Sequence, residues 1–461
     1  MKLTLLGGGG FRVPLVYKAL MADRSPERVT EVRLHDVDQQ RLDAISQVLG
    51  ELSTDRPDAP QVIATTDLPT ALAGTDFIFS AIRVGGTAGR AADESLCLGH
   101  HVIGQETVGA GGISYALRGI PVALDLVEQI KTHAPEAWVI NFTNPAGVIT
   151  QVMRQGLGDR VVGICDSPVG LARRVLATLQ QAGLVNPDAG PVGLGSSGIR
   201  MDYLGLNHLG WLQGLHVDGQ DVLPKLLQRP DLIESFEEGR LFGSPLIQAL
   251  GSVPNEYLHY YYFQREALAA DLASESPRGA FLSRQQGGFY SAVAALDGQP
   301  GAHDLWEATR REREKTYMAS SREASGGFER DEADLQTGGY DQVALAIMHA
   351  IANDVPAELV LNVPNRGAIP ELGGDDIVEM PCTVDAEGFH PIPVSTLPAH
   401  ARGLVTNAKY VEHKTIEAAT TASQEAALLA LLQHPLVDSW AVARTLLQGM
   451  VDTFPELAYL R

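Results

Sequence analysis

The first fourteen residues, Met1-Lys-Leu-Thr-Leu-Leu-Gly-Gly-Gly-Gly-Phe-Arg-Val-Pro14, constrain this chain most. A short apolar strand runs into Gly7, Gly8, Gly9 and Gly10, and then, through Phe11 and Arg12, into a helix-like segment. Glycines at a strand-to-helix turn let the backbone come close to a pyrophosphate, whose charge the helix N-terminus favours. A second strand-like run, Val32-Arg-Leu-His-Asp36, ends in an acid at the distance where a ribose hydroxyl of NAD is held. The fingerprint is incomplete, because Arg12 stands where a third glycine is usual. A glycine turn alone is equally well a tight turn. Strand, turn and acid together predict a dinucleotide site.

Length and charge bound the rest. A chain of 461 residues exceeds one ordinary core, so two domains are expected. The first, 1–195, is a dinucleotide-binding domain; the second, 196–461, carries substrate binding, catalysis and oligomer contacts. A net charge of −21 argues against nucleic acid and anionic membranes as partners. An anionic small substrate would then need arginines gathered at its site. Cys97, Cys165 and Cys382 are too scattered for a disulfide framework and suit a reducing cytoplasm. No apolar run is long enough to span a membrane, and no signal-peptide pattern opens the chain. A cytoplasmic protein is expected.

Strand-like runs near 2–6, 31–35, 75–82, 137–140 and 161–164 alternate with helix-like segments such as 38–52 and 118–133. That alternation predicts an α/β fold with an N-terminal Rossmann-like, doubly wound parallel sheet. Beyond about 195 the pattern changes to polar loops, aromatic clusters and helix-like stretches at 305–325, 340–354 and 413–452. A mixed, largely helical C-terminal domain is expected. The acidic, glycine- and serine-rich stretch 322–338 reads as the most mobile segment.

Several loops carry residues capable of chemistry. Ile82-Arg-Val-Gly-Gly86 supplies Arg83, with Arg90 beyond it, at a strand's carboxyl end where ligands of such sheets bind. Ile103-Gly-Gln-Glu-Thr107 supplies Glu106, a buried acid or an ordinary exposed one, and Gly109-Ala-Gly-Gly112 permits close backbone approach. Asn144 precedes a proline that keeps it out of helical geometry, although Asn-Pro also simply starts turns. Cys165 closes a strand at the ligand-facing edge, and His208 follows Asn207 in a later loop. Each alone is more often structural. Together they would form half of a divalent-metal shell, with water and substrate oxygens completing it. Pro254-Asn-Glu-Tyr-Leu-His-Tyr-Tyr-Tyr262 reads as an amphipathic helix in which one phenol is free to react. A phenol becomes a base only when nearby positive charge lowers its pKa. Arg278 is a candidate clamp for phosphate or sugar oxygens.

In order, the glycine-rich start, Arg83-Val-Gly-Gly86, Ile103-Gly-Gln-Glu-Thr107, Asn141-Phe-Thr-Asn-Pro-Ala-Gly147, Cys165-Asp-Ser-Pro168, Gly205-Leu-Asn-His-Leu-Gly-Trp211 and Tyr257-Leu-His-Tyr-Tyr261 resemble glycoside hydrolase family 4. Asn362-Val-Pro-Asn-Arg-Gly367 extends the likeness over most of the chain. The resemblance implies a hydrolase dependent on NAD and Mn2+ that acts on 6-phosphorylated glycosides without the usual carboxylate pair. It implies that Cys165 and His208 hold the metal and that Tyr257 is the catalytic base, with Glu106 raising its basicity. It further implies that Arg90, Asn144, Asn207 and Arg278 bind substrate and that Asp166 is a general acid in some members. Gly7 to Arg12, Asp36 and Arg83 would hold NAD. A homodimer or homotetramer is expected.

The subgroup signals conflict. Asp166-Ser-Pro168 after the cysteine leans toward α-glucosidases, while the more numerous remaining motifs lean toward β-glucosidases. Gln285-Gln-Gly-Gly-Phe-Tyr290 and Gly338-Gly-Tyr340 are both partial matches to one glycine-tyrosine motif. A 6-phospho-β-glucoside such as cellobiose 6-phosphate is the expected substrate, with α-glucosides second. A hydroxyacid dehydrogenase and a non-catalytic nucleotide sensor are the remaining classes.

Overall fold

Strands buried on both faces read as continuous apolar runs, the pattern of a parallel sheet covered by helices. In the computed structural model, which describes residues 1–190, 198–331 and 339–460, these runs become β1 (Lys2–Leu6), β2 (Glu31–His35), β4 (Phe77–Ser80), β5 (Trp138–Asn141) and β6 (Val161–Gly163). A further strand, β3 (Gln61–Thr65), pairs with β2. It lies at the sheet edge with no fully buried residue, so it lacks the apolar run that marks the others. The six strands pair in parallel in the order β3-β2-β1-β4-β5-β6, which puts the strand-order reversal between β1 and β4. Ligands of such sheets bind at that reversal, outside the strands' carboxyl ends.

The sheet does not stop there. Seven more strands continue it: β7 (Ile199–Leu206), β8 (Leu209–Val217), β9 (Gln220–Asp221), β10 (Val253–Pro254), β11 (Ala357–Pro364), β12 (Ile377–Asp385) and β13 (Gly388–Pro391). β11 pairs antiparallel with β6, and the order runs on through β12, β7, β8 and β10. The second half is therefore mixed and largely helical, as expected, but its strands share one sheet with the first. The largest hydrophobic core likewise joins Leu3 and Val32 to Leu204, Trp211, Leu361 and Val378. The boundary expected at 195 lies outside the described residues, as do residues 332–338 of the stretch expected to be mobile.

Helices form broadly where the periodicity predicts them. Gln39–Ser53 starts at Asp38, whose carboxylate accepts the Arg41 amide at 3.1 Å. The segment expected at 413–452 is three helices, Ala399–Thr421, Gln424–Gln433 and Trp440–Thr453. Two expectations are corrected. Gly109-Ala-Gly-Gly112 is the first turn of a 25-residue helix, Gly109–His133, and not a loop. The glycines there do permit close approach: a Cβ on Gly111 or Gly112 would lie 2.6 Å from the carbonyl of Gln105 or Thr107. The tyrosine run is not one amphipathic helix but β10, a 3-10 turn at Glu256–Leu258 and a four-residue helix, His259–Tyr262. The Asn255 side chain accepts the Tyr257 amide at 3.1 Å and starts that turn. No helix among the described residues is long and apolar enough to cross a membrane, and the three cysteines are free and buried.

Candidate active site

A cleft of about 930 Å³ opens at the carboxyl ends of the parallel strands. Gly7, Gly10, Phe11, Arg12, Asp36, Arg83, Arg90, Glu106, Asn144, Cys165, Asp166, Asn207, His208, Tyr257 and Arg278 all line it. Gly8 and Gly9 do not. They build the turn: a Cβ on Gly8 would lie 2.7 Å from Leu34 Cα, and one on Gly9 equally close to Arg41 Cβ. The Gly9 amide donates to Asp36 Oδ2 at 3.0 Å, tying the turn to the acid that closes β2. Phe11 is mostly core, its ring 5.3 Å from Phe289 and edge-on to it.

Three aromatic residues from the second half hold this turn by its carbonyls. Tyr290 Oη donates to Gly9 at 2.7 Å, Trp306 Nε1 to Phe11 at 2.8 Å and Tyr340 Oη to Arg12 at 3.0 Å. Tyr290 and Tyr340 close the two rival glycine-tyrosine segments, so each serves the same turn; Gly338 lies outside the described residues. Tyr290→Phe is expected to cost about 1–2 kcal/mol by leaving a buried carbonyl without its donor, read as a lower urea midpoint. Arg12 lies 5.0 Å over the Tyr340 ring, and its buried Nε has no hydrogen-bond partner among the described residues.

Glu106 is the acid between two arginines. Its carboxylate meets Arg83 Nη2 at 2.5 Å and Arg90 Nη1 at 2.7 Å. Burial pushes its pKa up, but Arg83 and Arg90, with Arg313 and Arg12 behind them, hold it down at about 2. Arg90 Nε also binds Glu94 at 2.7 Å. Arg278 donates to Thr316 Oγ1 at 2.6 Å and to the Arg313 carbonyl at 2.9 Å. Burial, then Arg313 and Arg90, lower its pKa to about 9. The arginines crowd one another, a strain that a bound anion would relieve. Arg313 is a cleft residue that the sequence analysis missed, because it sits in the charge-rich helix Ala302–Lys315 like any solvated arginine.

His208 occupies a two-residue turn between β7 and β8 at φ +62°, a conformation rare for residues other than glycine. Its Nδ1 lies 2.9 Å from Thr107 Oγ1, and its ring stacks on Tyr257 at 3.8 Å between centroids. Burial lowers its pKa to about 4, so at neutral pH the imidazole is an uncharged donor with Nε2 unengaged among the described residues. Burial, then Glu379 and Asp166, raise the Cys165 thiol well above its ordinary value. Tyr257 has Cys165 and Glu106 among its electrostatic neighbours, and its hydroxyl accepts from Tyr317 Oη at 3.0 Å. Tyr317 is also 3.4 Å from Glu256 Oε1, which takes the Ser167 hydroxyl at 2.7 Å. Glu256 and Tyr317 were not anticipated.

The donor set fits a divalent cation of borderline softness. A thiol kept neutral by burial, then by nearby carboxylates, and a neutral imidazole oriented through its other nitrogen would become ligands to a divalent cation bound in the cleft they both line. No group of three or more His, Cys, Asp or Glu is poised to hold an ion among the described residues, so two protein donors leave open positions. The glycine turn and Asp36 likewise fit a dinucleotide.

Fold and cleft define an enzyme of the dinucleotide-binding α/β class whose second half completes the site. The profile of the family described as family 4 glycosyl hydrolase matches residues 2–181, and that of its C-terminal domain matches 203–437. The chain belongs to glycosyl hydrolase family 4, a family of glycosidases. Its relatives include the maltose-6'-phosphate glucosidase of Bacillus subtilis, 26% identical over 99% of this chain and 97% of the relative. The 6-phospho-beta-glucosidase of Escherichia coli is 29% identical over 98% of this chain and 94% of its own. The 6-phospho-beta-glucosidase of Thermotoga maritima, solved with manganese, NAD+ and glucose-6-phosphate, shares the fold at TM-score 0.78, with 24% identity and 99% of each chain covered.

Proposed function

We propose that this chain hydrolyses 6-phosphorylated β-glucosides, with NAD and a divalent cation such as Mn2+ as its cofactors, in a cytoplasmic setting. One observation carries the reading: a dinucleotide turn, a thiol–imidazole pair, a phenol and a cluster of arginines face a single cleft. When bound, NAD supplies a reversible hydride acceptor at sugar C3, and the cation polarises the sugar oxygens, which acidifies the proton at C2.

The chain's own residues do the rest. Gly7 and Gly10 give the pyrophosphate close backbone approach, and Asp36 accepts from the ribose. Arg278, with Arg313 beside it, binds the 6-phosphate. Arg90 and Asn144 orient the sugar. Cys165 and His208 bind the cation. Tyr257 takes the C2 proton: burial and Glu256 hold its pKa high, so the phenol is a base only with positive charge beside it, and Arg90 and the cation-binding pair are its neighbours. The hydrogen bond from Tyr317 favours the phenolate further. Glu106, ionised throughout the neutral range, keeps Arg83 and Arg90 in place.

Asp166 favours a second reading, α-glucosides. It lines the cleft at the start of the helix Ser167–Gln181, and burial, against Arg12, pushes its pKa up, as suits an acid that protonates a leaving group. The test is hydrolysis of the two anomeric nitrophenyl glucoside 6-phosphates by dialysed protein under reducing conditions, with and without NAD and Mn2+. Cleavage of the β-anomer only when both are added is the expected result. Cleavage of the α-anomer alone moves the protein to the second reading. Cofactor-independent cleavage, or sustained NADH formation from a hydroxyacid instead, rejects both.

A further inference from the structure

Five strands carry one residue each into a single row across the seam where the parallel and antiparallel parts of the sheet meet. Gly163 on β6 pairs with Asn362 on β11, Asn362 with Glu379 on β12, Glu379 with Gly205 on β7, and Gly205 with Gly210 on β8. Cys165 stands two residues beyond one end of this row. His208 stands in the turn at the other, between Gly205 and Gly210.

Glu379 is fully buried at the centre of the row. Its Oε1 accepts from Asn207 Nδ2 at 3.1 Å and from Asn362 Nδ2 at 3.0 Å, and its Oε2 accepts from Tyr203 Oη at 3.2 Å. Asn255 Nδ2 in turn lies 3.4 Å from Tyr203 Oη. The glycines make the space. A Cβ on Gly210 would collide with the Tyr203 hydroxyl, and one on Gly163 would lie 2.8 Å from Asn362 Cβ. Among the described residues Glu379 has neutral hydrogen-bond donors and no lysine or arginine partner, and Asn362 Oδ1 is buried without a partner. A buried carboxylate held only by neutral donors is costly. Burial outweighs those donors and pushes its pKa up to about 7, and Glu379 is in turn the strongest electrostatic neighbour of Cys165.

We propose that Glu379 is the positioning residue of the cation site, fixing the Asn207–His208 turn through Asn207 and supplying, from outside the ligand shell, the countercharge for a divalent ion between Cys165 and His208. This rests on the assignment of Cys165 and His208 under the proposed function. It gives Asn362, the first residue of the last sequence motif, its role: its amide holds Glu379 from the side of Cys165 while Asn207 holds it from the side of His208. It also gives Asn207 a second task, since one N–H of its amide is held by Glu379 while the residue still lines the cleft. Outer-shell partners of this kind change metal affinity by about ten- to a hundredfold.

The test is Mn2+ affinity, followed by the loss of the free-ion electron paramagnetic resonance signal without substrate, beside NAD affinity measured by calorimetry on the same protein. Glu379→Gln keeps the shape and removes the charge. It is expected to raise the Mn2+ Kd about ten- to a hundredfold and to leave the NAD Kd within twofold. Glu379→Asp, with the charge kept, is expected to fall between. An unchanged Mn2+ Kd overturns the proposal, and so does an equal loss of NAD affinity, which marks a general loosening of the sheet. If Glu379→Gln does not fold, Asn362→Ala is read by the same criteria. Failure of the underlying assignment has a different signature: wild-type protein that binds no Mn2+, or that binds it equally well as Cys165→Ser.

Discussion

Tyr257→Phe is expected to lower kcat about 10^3-fold while leaving Mn2+ and NAD affinities within a few-fold of wild type. The substitution keeps the ring that stacks on His208 at 3.8 Å, so the Asn207–His208 turn keeps its packing. It removes only the hydroxyl that accepts from Tyr317. Burial and Glu256 disfavour the phenolate in the protein alone, so the proton transfer depends on positive charge arriving beside it. Exchange of the sugar C2 proton with deuterated solvent separates this role from the rest. Wild-type protein should incorporate deuterium at C2, and the variant should not. Turnover within tenfold of wild type, with exchange intact, would remove Tyr257 from the base position.

Glu106→Gln is expected to destabilise the protein by about 3 kcal/mol, because it strips the shared counterion from half-buried Arg83 and nearly buried Arg90. Arg90 keeps its ion pair with Glu94 at 2.7 Å, whereas Arg83 keeps the Tyr115 ring at 4.6 Å and the more distant charge of Asp93. The pH dependence has a definite sign. The folded-state pKa of Glu106, about 2, lies below the value near 4.5 of an unperturbed glutamate. In acid the unfolded chain therefore binds the proton more readily, and protonation favours unfolding. The stabilisation is complete above about pH 5 and fades as pH falls from there toward 2. It is worth on the order of 3 kcal/mol when complete. Urea unfolding of wild type and variant between pH 3 and 7 checks this. The gap should narrow toward pH 3, and a gap independent of pH would show that Glu106 is not held ionised by its arginines. Activity should fall as well, since Arg90 is then free to leave its place in the cleft, from which it is proposed to orient the sugar.

Local chemistry made part of this protein legible in advance. The glycine turn, its strand and Asp36 are contiguous in sequence, and the turn needs no distant partner to be recognised. Cys165, His208, Glu106 and Tyr257 each sit in a short motif at an element's end, and the order of the motifs carried their grouping. The edge strand β3 was not legible, because a strand without a buried face has no apolar signature. Nor were β7 and β8, for the opposite reason. They are buried on both faces, so the alternation that marks a half-exposed strand is absent.

By itself, then, the sequence determined the parallel Rossmann half, the place of the cofactor turn and which chemistry-bearing side chains line the cleft, because those follow from residue type and near-neighbour spacing. Tertiary structure alone decided what holds them. Tyr290 and Tyr340 reach the glycine turn across 281 and 328 residues. Glu379 meets Asn207 across 172 residues and lies in register with Asn362 only because β11 and β12 extend the sheet past β6. Arg313 becomes a cleft residue, and not a solvated one, through the packing of its helix. Contacts at such separations leave no periodicity in the chain. They are fixed by which faces must be buried together, and that is settled only when the whole sheet closes around its core.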